Sequence, residues 1–469
     1  MSAPQPNVVV ILTDQQRWDV RGVTPELERI GREGTTVEVA ISPQPVCGPA
    51  RASLQTGCYA TVHGVFRNGL PLPADLPTLA GAFAAAGYRT GHLGRWQLAG
   101  EEGEPGPVPA EARGGYQEWL ASDQLEVTSD PYRTIVYDAA GEPVRLVGYR
   151  SDALFDAAVR FVADHHDRPF LLFVSLLEPH HQSETDSYPA PEGYAERYQG
   201  SWLPPDLAAL ADPNDPAGSP HRHLGGYLGQ LKRVDEGVAR LRDALRSLEL
   251  TDRTVLAWTS DHGSHFRTRN DEYMRSAHDA SIRVPLVLTG PGFTGGGVVR
   301  QPVSTVDLMP TLLEAAGLPV PATVQGRSLL PLVGGGSDPE RAGEVFIQIS
   351  ESQVGRAVRT ARWKYAVTAP DVHPWHDPGA VRYAESELYD LEADPYELDN
   401  LIRLESHREI ADELRAALRW MELVGEKPPL ITDAPPRDPG RRRVDARVHE
   451  LPWAGLRFGH QRTPAAGPR

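Results

Sequence analysis

Through the first two thirds of the chain, short apolar runs alternate with stretches whose apolar residues recur every three or four positions. Residues 7–14 (NVVVILTD) are apolar at nearly every position, the pattern of a strand buried on both faces rather than on one. Residues 79–94 read as helix, turn and strand, residues 152–164 as a helix, and residues 170–177 as the strand that follows it. Leu228, Leu231, Val234, Val238, Leu241 and Leu245 fall on one face of a long helix. Residues 254–261 and 284–292 add two more buried strands. Strands alternating with helices and covered on both sides predict an α/β fold on a mostly parallel sheet.

After Gly334 the pattern changes. GGGSDPERAGE reads as a linker, EVFIQIS and RAVRTARWKYAVT as antiparallel strands, and residues 404–424 as a closing helix. The expected organisation is a catalytic α/β domain over residues 1–335 and a smaller α+β subdomain over 336–427. A tail rich in Pro, Gly and Arg follows over 428–469. Such a tail either wraps the body or stays disordered, and it suits a subunit arm in a homo-oligomer.

Bulk composition narrows the function. The 469 residues carry a formal net charge of -16, which argues against a nucleic-acid partner, since phosphate binding needs a concentrated positive field. No apolar run approaches the ~20 residues of a membrane helix. The amino-terminal stretch MSAPQPNVVVILTDQQ lacks a basic n-region and a small-residue cleavage site, so the expected location is cytoplasmic. The two cysteines, Cys47 and Cys58, make neither a disulfide framework nor a zinc motif. Lysine occurs only at 232, 364 and 427, so arginine carries nearly all the positive charge.

Open α/β sheets bind ligands at the carboxyl ends of their strands. Two strand ends here carry chemistry, Asp14-Gln15 and Asp261-His262-Gly263. Either aspartate alone also suits a helix cap. Together the four side chains offer two carboxylates, an amide oxygen and an imidazole, a set fit for one divalent cation. Magnesium, calcium or manganese would suit it, and the imidazole tilts the choice toward manganese over calcium. Cys47 stands at a strand end where a helix starts, with Pro49 in the first turn. That position faces the positive end of the helix and favours an anion or a nucleophile; a buried small hydrophobe is the plain alternative.

The stretch Cys47-Gly-Pro49-Ala-Arg51-Ala-Ser-Leu54-Gln-Thr56-Gly57 matches the sulfatase signature C-X-P-X-R-X-X-L-X-T-G at every fixed position. With Asp14-Gln15, Ser260-Asp261-His262-Gly263, IRVPL, VDLMPTLLEAAG and LYDLEADPYELDNL, the chain resembles the sulfatases of the alkaline phosphatase superfamily over residues 5–425. The resemblance implies an alkaline-phosphatase-like fold and a Cys47 oxidised to formylglycine by a separate maturation enzyme. It places a divalent cation (Ca2+, Mn2+ or Mg2+) on Asp14, Gln15, the modified Cys47, Asp261 and His262. Arg51 would support the nucleophile, Asn68 would contact the transferred group, and His180 would assist the leaving group. His181 is the neighbouring alternative, and Gln182 replaces the proline that usually follows.

The chain departs from the family at three positions. Where the family has G-K-W-H, this sequence has Gly94-Arg95-Trp96-Gln97, and Met274 stands where a second lysine is expected. Arg95 can bind an anionic oxygen but does not readily give up a proton, and Gln97 is no general base. Arg275, His265 and His278 are the groups at hand to compensate. The implied activity is hydrolysis of small-molecule sulfate monoesters. Hydrolysis of phosphonate monoesters or phosphodiesters, which tolerates Gln97, is the alternative, and a binding protein without turnover is the third. Loops such as residues 183–202 would choose the leaving group.

Overall fold

A strand that is apolar at nearly every position needs a core on each side, and Asn7–Thr13 has two. Val8, Val10 and Leu12 join one cluster with Leu171, Phe173, Val255 and Ala257. Val9 and Ile11 join a second with Leu172, Val174, Leu256 and Trp258. Each such side chain contributes about 1.5–3 kcal/mol by leaving water, so the strand can neither slip by one residue nor turn over. The computed structural model describes residues 5–436 apart from Arg21, 101–104 and 212–219. The expected tail beyond residue 436 lies outside the described residues.

Five strands run parallel at the centre of a twelve-stranded sheet, in the order Thr254–Ser260, Asn7–Thr13, Phe170–Ser175, Arg89–Arg95 and Glu118–Ser122. The architecture is the expected α/β one. The flanks make the sheet mixed: Arg283–Thr289 runs antiparallel to both Thr254–Ser260 and Thr35–Ile41, and a meander through Arg133–Tyr137 closes the opposite edge. Arg150–Asp164 and the second half of Pro220–Ser247 cover one face, through Leu154, Phe161, Val234, Val238 and Leu241. Cys47–Thr56, Leu79–Ala85 and Leu308–Ala315 cover the other. The long helix's apolar face divides: Leu228 and Leu231 pack instead beside Cys47 and Met274. No helix of the described residues is long and apolar enough to cross a membrane.

The carboxy-terminal part forms a separate sheet from Val345–Ile349, Val354–Arg359, Trp363–Ala369 and Arg382–Asp390, all antiparallel neighbours. Leu430–Thr432, which the sequence suggested belonged to the tail, adds a parallel edge strand. The closing helix is shorter than its expected span, at Arg408–Ala417, and buries Ala411, Leu414 and Ala417 on one face of this sheet. The other face meets the large sheet: Ile347, Ile349, Ala357 and Ala366 share a core with Val39, Ile41 and Ile282.

A buried ion cluster stitches the two sheets together. Lys364, fully buried, donates to Asp279 at 3.0 Å and pairs with Glu397, while Arg359 donates to the other Asp279 oxygen at 3.0 Å. Removing the ammonium leaves buried Asp279 with Arg359 and Arg283 but takes from buried Glu397 the cation it pairs with. Lys364→Met is therefore expected to destabilise the protein by about 3–5 kcal/mol, read from the midpoint of urea unfolding; an unchanged midpoint would contradict this role.

Candidate active site

Parallel strands put all their carboxyl ends at one edge, so the residues that follow them become neighbours without any sequence proximity. Thr13 pairs with Ser260 in register, which sets Asp14 directly beside Asp261. Arg95 ends its strand two places along, past Phe170–Ser175. Its approach requires Gly94: at φ 100, a Cβ there would lie 2.0 Å from the Ser175 carbonyl oxygen. Cys47 arrives from the opposite direction, as the first residue of the Cys47–Thr56 helix.

The four groups converge. Cys47 Sγ lies 3.2 Å from His262 Nε2 and 3.8 Å from Asp14 Oδ1. One ligand atom from each of Asp14, Cys47, Asp261 and His262 falls within 4.8 Å of every other. His262 Nδ1 faces the Gly263 carbonyl at 2.9 Å, an acceptor that takes a hydrogen bond from that nitrogen and leaves Nε2 turned to the cluster. Asp261 Oδ1 accepts the backbone N–H groups of Gln15 and His262, at 3.3 and 2.8 Å. Its Oδ2 makes no hydrogen bond, although Arg51 Nη2 stands 3.1 Å away.

Two arginines hold this negative pair. Arg51 Nη2 donates to Asp14 Oδ2 at 2.8 Å and Nη1 to Ser175 Oγ at 2.5 Å. Arg95 pairs with the same Asp14 oxygen and donates to Glu126 at 2.6 Å. Burial pushes the Asp14 carboxyl up, but Arg95, His180, Arg51 and His262 outweigh it and hold the group well below its usual range. Asp261 goes the other way: burial, reinforced by the charge of Asp14, raises it to about 6. Burial and then Asp14 push the Cys47 thiol well above its ordinary value, so it stays protonated at neutral pH.

A divalent cation fits this donor set. Two carboxylates and an imidazole nitrogen sit within reach of one ion in a fully buried site, and Asp261 Oδ2 accepts no hydrogen bond, its charge met by the Arg51 guanidinium at 3.1 Å. The Gln15 side chain, beside the cluster, has two partners. Its carboxamide oxygen accepts the His181 N–H at 3.3 Å and its nitrogen stands 3.2 Å from Met274 Sδ.

The remaining expected residues separate clearly. Asn68 Oδ1 accepts the Gly48 N–H at 2.9 Å, beside Cys47, and Gln97 Nε2 lies 3.5 Å from the same oxygen. Gln97 Oε1 is buried without a partner. His180 is close enough to feel Asp14, Arg95 and His262. His181 faces away, bonded to Asp186 at 3.0 Å and stacked on Tyr273. Of the three suggested substitutes, His265 is buried against the Met274 carbonyl and His278 against Tyr389 and Ser276, both structural. Arg275 lies at the site, as does Met274. In the 183–202 loop, Tyr188 joins the cluster around Cys47 while Trp202 is exposed. Glu126 and Glu351, both bonded to site residues, carry no motif that sequence reasoning could have used.

Residues 6–318 match the family model described as Sulfatase. The chain belongs to the sulfatase family. Residues 271–423 also match the model described as N-sulphoglucosamine sulphohydrolase, C-terminal. Among curated relatives, the Ulvan-active sulfatase of Formosa agariphila is 31% identical over 88% of this chain and 80% of its own. The Choline-sulfatase of Rhizobium meliloti is 26% identical over 86% and 83%. Among solved structures, the putative sulfatase yidJ from Bacteroides fragilis superposes with a TM-score of 0.77 at 24% identity, over 91% of this chain and 97% of that one. The phosphonate monoester hydrolase SpPMH from Silicibacter pomeroyi reaches 0.69 at 23%, over 90% and 96%. These neighbours share the fold. The protein is a sulfuric ester hydrolase of the sulfatase fold.

His180 in this sulfatase is pushed down to about 4 by burial, with Asp14 pulling it up and Arg95 opposing. Its imidazole is therefore expected to be neutral from about pH 6 to 8 in the metal-free protein, as read from its ring 15N shifts; a charged ring at pH 6 would contradict the burial argument.

Proposed function

We propose that this sulfatase hydrolyses sulfate monoesters through a formylglycine made from Cys47, assisted by one divalent cation, Ca2+, Mn2+ or Mg2+. The observation that carries this reading is the placement of Cys47 Sγ 3.2 Å from His262 Nε2 and 3.8 Å from Asp14 Oδ1, at a helix start inside the eleven-residue signature. Asp14, Asp261, His262 and the oxygen replacing the Cys47 sulfur would hold the cation. When bound, it supplies positive charge beside the ester and lowers the pKa of the attacking hydroxyl. The modification supplies a carbon bearing two hydroxyls, one to take the sulfuryl group and one to release it as sulfate; a serine offers only the first.

The chain's own groups do the rest. Arg51, fixed between Asp14 and Ser175, orients the nucleophile's carboxylate neighbour and balances its charge. Asn68 and Gln97 present amide groups next to Gly48, where an ester oxygen would lie beside the nucleophile. His180 faces the leaving oxygen. An anionic ester against its ring raises its proton affinity from the low value of the empty site, so the imidazole can carry a proton to the departing alcohol. Arg95 serves as a fixed charge: with Asp14 and Glu126 on its fork, it holds Asp14 in place.

Asn68 beside Gly48, together with Gln97 in place of a histidine, also suits phosphonate monoesters and phosphodiesters, which stand as the second reading. The test is turnover of paired aryl sulfate and aryl phosphonate esters by protein produced with the maturation enzyme. The sulfate ester is expected to be the better substrate. Cys47→Ser is expected to release one product burst and then stall, because the ester on serine has no second hydroxyl to expel it. Sustained turnover by Cys47→Ser, or a preference for the phosphonate, would overturn the reading.

A further inference from the structure

Of the nine described non-glycine residues with left-handed backbone, four surround Cys47: Gln15 (φ 67), Gln97 (φ 61), Arg275 (φ 72) and Glu351 (φ 64). Side chains in that region are strained, and they persist where the surroundings over-determine them, most often at functional sites. The first pair was already legible as site residues. The second pair are bonded to each other. Arg275 Nε donates to Glu351 Oε2 at 2.6 Å, and Arg275 Nη1 donates to Glu272 at 2.7 Å.

Glu351 is fully buried and reaches the nucleophile by a short path. Its second oxygen accepts the Asn68 N–H at 2.6 Å, and Asn68 in turn accepts the Gly48 N–H at 2.9 Å, one residue from Cys47. Glu351 follows the Val345–Ile349 strand, so this carboxylate comes from the small sheet and ties the catalytic helix to Arg275. Met274, the residue standing where the family pattern expects a lysine, packs in the same cluster as Cys47, and Arg275 Nη1 lies 3.9 Å from its sulfur.

We propose that Arg275 supplies the positive charge missing at position 274 and binds an oxygen of the sulfate ester, with Glu351 as the positioning residue that aims it. Two glutamates compensate the buried guanidinium and fix its fork. Neither uses Nη2, whose two N–H groups are left to meet the anion. An arginine in this role binds and does not move protons, so its contribution falls on affinity for the sulfuryl oxygens. The proposal rests on the sulfate-ester reading above, and the experiment separates the two.

The protein is produced with the maturation enzyme, loaded with metal, and assayed with 4-nitrophenyl sulfate; inorganic sulfate binding is measured in parallel by calorimetry. Arg275→Ala is expected to lower kcat/KM by about 10²-fold and to weaken sulfate binding about tenfold or more. Arg275→Lys keeps the charge and most of the volume, recovers most of that binding, and carries the test if the alanine variant unfolds. Glu351→Gln is expected to raise KM with kcat little changed, and the double variant Arg275→Ala/Glu351→Gln to bind sulfate no worse than Arg275→Ala alone, since the two act as one unit. Sulfate binding by Arg275→Ala equal to the parent's, or Arg275→Lys no better than Arg275→Ala, overturns the proposal. A parent that binds sulfate through Arg275 yet turns over no sulfate ester contradicts the functional reading and supports this one.

Discussion

Two buried carboxylates, Asp14 and Asp261, stand side by side because the strands they follow are hydrogen-bonded in register. Like charges in a site closed to water repel strongly, and the surrounding structure is organised around that repulsion. Arg51 and Arg95 are bonded to Asp14, Arg51 also pairs with Asp261 at 3.1 Å, and Asp261 takes two backbone N–H groups. The strands can hold the two carboxylates there because Asn7–Thr13 is clamped by apolar cores on both faces, which fixes their register against the electrostatic strain at their ends.

The same constraint explains the departures from the family pattern. An arginine at position 95 reaches two carboxylates at once, Asp14 and Glu126, which a lysine's point charge would do less well. Its charge is spent on the architecture of the site. Gln97 puts a carboxamide where the family has a histidine, with its Nε2 3.5 Å from Asn68 Oδ1. Met274 fills its position with an apolar side chain in the cluster that holds Cys47, Tyr273 and Leu231, and the Arg275 guanidinium lies beside its sulfur.

Much of this was legible in the sequence where the information is local. The apolar runs marked four of the five central parallel strands, the periodic leucines and valines the long helix, and Cys47 with Pro49 the start of the catalytic helix. Asp14 and Asp261 could be paired because both end apolar runs, although 247 residues separate them. What escaped depends on contacts between distant elements. Apolar runs look alike whether strands pair parallel or antiparallel, so the reversed flank at Arg283–Thr289 left no mark in composition. Thr35–Ile41 carries only a partial alternation, Val37, Glu38 and Val39, too short to mark a strand by itself. Glu351 and Glu126 follow no motif; they matter only because folding carries them to Arg275, Asn68 and Arg95.

In the proposed function Cys47 is not the working thiol but the precursor of the nucleophile. The most direct measurement is the mass of the tryptic peptide containing Cys47, taken from protein produced together with the maturation enzyme. The account predicts the mass of a residue whose CH2–SH has become an aldehyde, trapped as a hydrazone by a carbonyl reagent. A peptide that keeps the mass and alkylation chemistry of unmodified cysteine would contradict it.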